Sequence, residues 1–196
     1  MRKVEWSNTV TITSKSYTCG YCGESIASNA GYIGVEQGPR GALFSCVYIC
    51  HYCSQPTYIT YDGKQFPGHP YGVEVKDISA KDVADLYKEA RNSIACNSYT
   101  AAILCCRKLL MHIAVSKGAA EGLSFIAYID WLSANHYVPP DGREWVDHIR
   151  TKGNEANHEI IIMGENDAKD LVDFVGMLLK IIYEFPAVVK RKSASK

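Results

Sequence analysis

The spacing of apolar residues changes about 75 residues into the chain. Before that point they come singly or in short extended runs. Val10, Ile12 and Tyr17 stand among Thr and Ser in a half-alternating pattern that predicts a strand. Gln37–Gly41 reads as a turn, and Ala42–Ile49 as a β-rich run after it. Asp62-Gly63 predicts a hairpin turn, and Phe66–Pro70 a turn-rich exit.

Beyond that point the period becomes helical. Ser79, with Asp82 three residues on, predicts a capped helix start, and Val83, Leu86, Tyr87, Ala90 and Ile94 form its apolar stripe. After a break at Asn97-Ser98, Ser98–Lys117 is apolar around most of its circumference and ends at Gly118, as expected of the central helix. A third helix is expected at about Ser124–Asn135. A fourth opens at Trp145, where Asp141 and Glu144 make a capping-box pattern behind Pro139-Pro140. The last spans Glu165–Phe185 and carries Leu171, Phe174, Val175, Leu178, Leu179 and Ile182 on one face; Pro186 is expected to end it. The expected fold is therefore α+β: a small β-rich module over residues 1–75, an antiparallel bundle of about five helices over 78–189, and a short frayed basic tail over 190–196.

Composition narrows the class. Of 196 residues, 47% are hydrophobic, enough for a packed core. No uninterrupted apolar run is long enough to span a bilayer, and the N-terminus lacks the apolar stretch of a secretory signal, so a cytoplasmic protein without a membrane partner is expected. Net charge is zero but uneven: residues 77–189 hold eleven Lys/Arg against sixteen Asp/Glu, and the last seven residues hold four against none. A protein that neutralises nucleic-acid phosphates over a broad surface carries a basic face. The helical part does not, so any such contact is local.

In a reducing compartment, closely spaced cysteine pairs point to metal rather than disulfides. Cys19-Gly-Tyr-Cys22 and Cys50-His-Tyr-Cys53 are two such pairs, 27 residues apart, each at a turn beside a β segment. That arrangement suits a tetrahedral four-thiolate zinc site, and four thiolates leave no open position, so the zinc is expected to be structural. A redox CxxC competes poorly, since such motifs come singly at a helix start. Cys46 and His51 are additional ligand candidates, Cys46 expected on the strand core and His51 pointing outward. Cys96, Cys105 and Cys106 are expected to be buried packing residues, and His112 a core or boundary histidine.

The segment from Trp145 to His158, WVDHIRTKGNEANH, carries a second kind of chemistry. Beside its apolar positions runs a polar stripe, Arg150, Asn154 and His158, one turn apart and flanked by Asp147. A guanidinium, an amide and an imidazole in a row suit phosphate binding and proton transfer. The alternative is a solvated face whose arginine pairs with Asp147 or Glu155. Arg107, a charge inside the most apolar helix, needs a carboxylate, a helix C-terminus or a phosphate as partner.

The helix AAILCCRKLLMHIAVSKG, the turn YVPPDGREW, the segment HIRTKGNEANH and the closing helix DLVDFVGMLLKIIYEFPAVV together resemble the HEPN superfamily, in the branch catalogued as a domain of unknown function and found beside restriction and defence proteins. The resemblance covers roughly residues 80–189, and members of that branch often carry an N-terminal zinc ribbon. It implies a metal-independent endoribonuclease acting as a homodimer in a toxin or phage-defence setting. Arg150 and His158 would be the catalytic pair, Asn154 their polar companion, and Arg107 and Lys152 the substrate contacts. Family members space the arginine and histidine four to six residues apart, whereas seven residues separate them here. On a continuous helix that puts them about 12 Å apart and roughly 80° around the axis. Pairing across a twofold axis, a bend near Gly153, or a degenerate site would each account for the gap. The competing reading is a non-catalytic adaptor that dimerises or docks on a larger restriction or defence protein.

Overall fold

The computed structural model describes residues 4–38, 41–138, 145 and 164–194. The chain divides into two compact units, Met1–Pro70 and Tyr71–Lys196.

The first unit is an antiparallel meander of β1 (Val10–Thr18), β2 (Ser25–Gly38), β3 (Gly41–Ile49), β4 (Pro56–Ile59) and β5 (Gln65–Phe66), in that spatial order. The longest strand, β2, has no clear alternation in sequence; its register comes from β3, with Gly31 opposite Tyr48 and Gly38 opposite Gly41. Alternation sorts the two faces. Tyr48, Thr57 and Ile59 point to a small core with Ile12, Tyr17 and Ile26. The opposite face carries a row in strict register: Tyr32 opposite Val47, Val47 opposite Tyr58, and Tyr58 opposite Phe66. The Tyr58 and Phe66 rings stack at 6.4 Å, and Trp6 meets Tyr32 edge-on at 6.3 Å. Trp6, Tyr58 and Phe66 are all exposed.

The second unit contains α1 (Lys81–Ala95), α2 (Tyr99–Ser116), α3 (Phe125–Ala134) and a long α4. α4 is α-helical over Glu165–Leu179, π-wound over Lys180–Glu184 and α-helical again over Phe185–Ala194. Four helices, rather than five, are thus found among the described residues. The expected helix at Trp145–His158 lies outside them except for Trp145, which is helical and meets Phe174 edge-on at 5.2 Å. α2 buries Ala102, Ile103, Cys106, Arg107, Leu109, Leu110, Ile113 and Ala114 and is the centre of the bundle, as its all-round apolarity implies. By length and hydropathy alone α2 is also long enough to cross a membrane, which the sequence reading had not found.

Several boundaries differ from expectation for local reasons. α1 starts after Ala80 without a side-chain cap; the Asp82 carboxylate accepts the Val83 amide instead. Residues 71–75 lie on the helical unit, held there by Arg91, whose Nε donates to the Tyr71 carbonyl at 2.7 Å, and by Tyr87, whose hydroxyl donates to the Val73 carbonyl at 2.9 Å. Pro186 does not end the last helix. The π turn carries the Phe185 amide back five residues to Lys180, and this wider turn takes up the absent proline N–H and the clash with the carbonyl four residues back. Nor is the basic tail frayed through its length: it is helical to Ala194, and Arg191 pairs with Asp77 at 2.8 Å.

Candidate metal centre

Two turns build the centre. The first joins β1 to β2 and the second joins β3 to β4, so an up-and-down meander delivers both to the same end of the sheet. They are copies of each other in hydrogen bonding. The Cys19 amide donates to Glu24 at 2.9 Å and Gly23 donates back to Cys19 at 2.9 Å. In the second, Cys50 donates to Gln55 at 3.0 Å and Ser54 to Cys50 at 2.8 Å. Each turn closes on a left-handed residue, Gly23 at φ 77° and Ser54 at φ 58°. This geometry turns both sulfurs of a CxxC pair inward.

The four Sγ atoms of Cys19, Cys22, Cys50 and Cys53 all lie within 4.8 Å of one another. Two edges cross between the turns, Cys19 to Cys53 at 3.7 Å and Cys22 to Cys50 at 3.8 Å. These are far too long for a disulfide, whose sulfurs lie about 2.05 Å apart. They do fit a tetrahedron: with metal–sulfur bonds of about 2.3 Å, its edge is about 3.8 Å. The cluster is therefore able to hold one metal ion, and the spacing is consistent with zinc.

The surroundings suit thiolates. Backbone amides point at the sulfurs: those of Glu24 at Cys22, Gln55 at Cys53, and Cys53 and Tyr52 at Cys50. Burial nonetheless pushes the Cys53 thiol up to about 12 and raises Cys22. Cys50 is shifted down, because the amides and neighbouring thiols outweigh the burial that opposes ionisation. Four sulfurs this close cannot all ionise without a cation, and a divalent ion supplies that charge. The hydroxyls of Tyr17 and Thr57 are buried beside each other behind the sulfurs, and that of Thr57 partly offsets the effect of burial on Tyr17. Burial pushes Tyr17 up to about 12, and the sulfurs of Cys50, Cys19 and Cys53 add to the rise, so it stays a protonated donor beside them. Cys46 packs against this core from β3, and His51 is exposed beside Tyr52, as expected of each.

The model of a family described as Domain of unknown function (DUF4145) matches residues 88–195, more than half of the chain. The chain belongs to this family. The DUF4145 match begins inside α1 and runs through α4, so the metal centre lies outside it. Comparisons with curated proteins and with solved structures find no match.

Within the DUF4145 part, Arg107 is the one candidate site residue that lies among the described residues; Arg150, Lys152, Asn154 and His158 lie outside them. Arg107 is buried in α2 with its guanidinium 4.2 Å over the Phe125 ring, and desolvation pulls it below the usual arginine range. Cys106 is buried and Cys105 half-buried, whereas Cys96 is exposed because α1 ends just before it. His112 is likewise exposed rather than in the core: it sits on the α2 face turned away from Ile113 and Ala114. The row on the sheet is a feature that sequence reading missed; Tyr32, Val47, Tyr58 and Phe66 come from four strands and share a face only through register.

Proposed function

We propose that this chain is a zinc-stabilised HEPN-type endoribonuclease, independent of metal in its chemistry, with Arg150, Asn154 and His158 forming a composite site in a homodimer of a toxin or phage-defence system. The observation that carries this reading is the polar stripe of the segment opening at Trp145, together with the anchorage of Trp145 against Phe174 in the core of the DUF4145 domain. A four-thiolate zinc has no open position for water or substrate, which assigns the ion to holding the ribbon together. The chemistry then falls to side chains. His158, whose ordinary pKa of about 6.5 suits both roles, takes the proton from the ribose 2′-hydroxyl or gives one to the leaving oxygen. Arg150 stabilises the extra charge on the pentacoordinate phosphorus. The 2′-hydroxyl as nucleophile confines the reaction to RNA. The exposed rings of Trp6, Tyr58 and Phe66, with the half-buried Tyr32 among them, give the ribbon a stacking surface for unpaired bases.

The test is cleavage of end-labelled RNA by purified protein in excess chelator, beside His158→Ala. Cutting by the wild type alone, leaving 2′,3′-cyclic phosphate ends, is the expected result. A mutant as active as wild type would overturn it. The acidic balance of residues 77–189 favours a second reading, an adaptor docking on a larger defence protein. Absence of cleavage by a zinc-loaded dimer would select that one.

A further inference from the structure

The hairpin of β2 and β3 outruns the sheet that carries it. β1 accompanies β2 only as far as Val10 opposite Gly31, and β4 accompanies β3 only from Cys46 opposite Ile59. Among the described residues, 34–38 and 41–45 therefore pair only with each other, from Gly34 opposite Ser45 to Gly38 opposite Gly41. At about 3.4 Å per residue this arm is roughly 15 Å long. A two-stranded hairpin alone is marginally stable in water, so the arm gains from any cover on its apolar face.

That face continues the inner side of the sheet. Gly31 lies opposite the buried Tyr48, and Cys46 opposite the buried Ile59. Val10 lies opposite Gly31, Ile33 opposite Cys46 and Val35 opposite Phe44, so alternation points all four of these apolar side chains the same way. Here the core has ended: Val10 and Ile33 are 50% exposed, Val35 57% and Phe44 60%. Gln37 opposite Ala42 completes the face, which carries no charged residue. Single exposed apolar side chains are ordinary, but four in register form a patch.

The patch fits a second copy of itself. It presents about 400 Å² per copy, taking roughly 200 Å² for a large apolar side chain. The apolar part of a standard dimer interface is about 500 Å² per partner. Nucleic acid needs cations that this face lacks. The first unit does not repel its own copy, with six Lys/Arg against five Asp/Glu over residues 1–76. Neither strand of the arm carries Lys or Pro, the residues that keep exposed strands from associating. We propose that two copies of this chain associate through this face, their arms packed about 10 Å apart with Ile33, Val35 and Phe44 interleaved. A twofold axis near Val35 makes the contact closed and self-complementary. It uses no residue of the DUF4145 match and stands whether or not RNA is cut.

The experiment uses the zinc-loaded full chain, followed by sedimentation equilibrium and amide NMR over a concentration range of about 1 to 300 µM. Association is expected within that range, and the amides of Ile33, Val35, Phe44 and Cys46 are expected to shift as concentration rises. Val35→Thr with Phe44→Thr changes two exposed positions and keeps strand propensity. Zinc content and the remaining strand signals should then be unchanged, while association weakens by about tenfold or more and the arm shifts disappear. Phe44→Glu sets like charges across the twofold axis and is expected to weaken association further. A dimer unaltered by both variants would overturn the proposal by placing the contact elsewhere, and would leave the cleavage reading in place. Association through the arm without RNA cleavage would do the reverse. A monomer whose arm amides are protected from exchange at every concentration would overturn it too, because the chain then covers its own face. So would arm amides that respond to a single-stranded oligoribonucleotide and not to protein concentration.

Discussion

Removing the metal is the perturbation whose consequence differs most between the two units. Among the described residues the first unit buries seven hydrophobic residues, two of them the candidate ligands Cys19 and Cys50. The five others, Ile12, Tyr17, Ile26, Tyr48 and Ile59, contribute roughly 1.5–3 kcal/mol each, or roughly 8–15 kcal/mol before any entropy is set against them. Structural zinc at four thiolates contributes about 10–16 kcal/mol at neutral pH. An ion bound there would therefore match the whole apolar core, and is as large as the net stability of about 5–15 kcal/mol that a domain retains. The helical unit buries twenty-five hydrophobic residues in its cluster and contains none of the four ligands. Excess chelator, or Cys50→Ser, should unfold β1–β5 and leave α1–α4 folded. Metal analysis should give one ion per chain. In amide NMR the dispersed strand signals should collapse while helical signals persist, and limited proteolysis should cut before Pro70. Retention of strand dispersion in metal-free protein would refute the reasoning, as would joint loss of the helices. Lower pH should act in the same direction as chelator, because protons compete with the ion for the thiolates.

Two further outcomes concern the helical core. A Cβ at Gly176 would lie 2.5 Å from the Tyr87 hydroxyl, which is tied to Val73, so Gly176→Ala should destabilise this unit by about 1–3 kcal/mol in thermal or denaturant unfolding despite its better helix propensity. Burial pushes Tyr87 up to about 12, opposed by Arg91 and reinforced by Cys106 and Asp173. Its folded pKa lies above the unfolded value of about 10, so its contribution is complete below that pH and is lost as pH rises toward 12. Allowing for solvent screening, that loss is about 2 kcal/mol. Tyr87→Phe should cost about 1 kcal/mol at neutral pH, through the hydrogen bond to Val73, and show a flatter alkaline decline. An alkaline limb of equal slope in both proteins would assign that decline to other groups.

What could be read from sequence was what neighbours in the chain decide. The three-to-four spacing around Leu109 and around Leu178 places two helices, and Ser124 marks the start of α3, because helix faces and caps depend on residues within a turn or so. The two CxxC turns were equally legible, since four residues hold both sulfurs of a pair. Arg150, Asn154 and His158 were legible only as a pattern. The tertiary structure decided which groups meet. Cys19 approaches Cys53 across 34 residues and Cys22 approaches Cys50 across 28. Strand register alone sets Tyr32, Val47, Tyr58 and Phe66 in one row, and the packing of α3 on α2 puts Phe125 under Arg107. Packing likewise left Cys96 and His112 outside the core and carried α4 past Pro186 through a widened turn. Periodicity states which face of an element is apolar, but the partner on that face is chosen by register and packing between segments far apart in the chain.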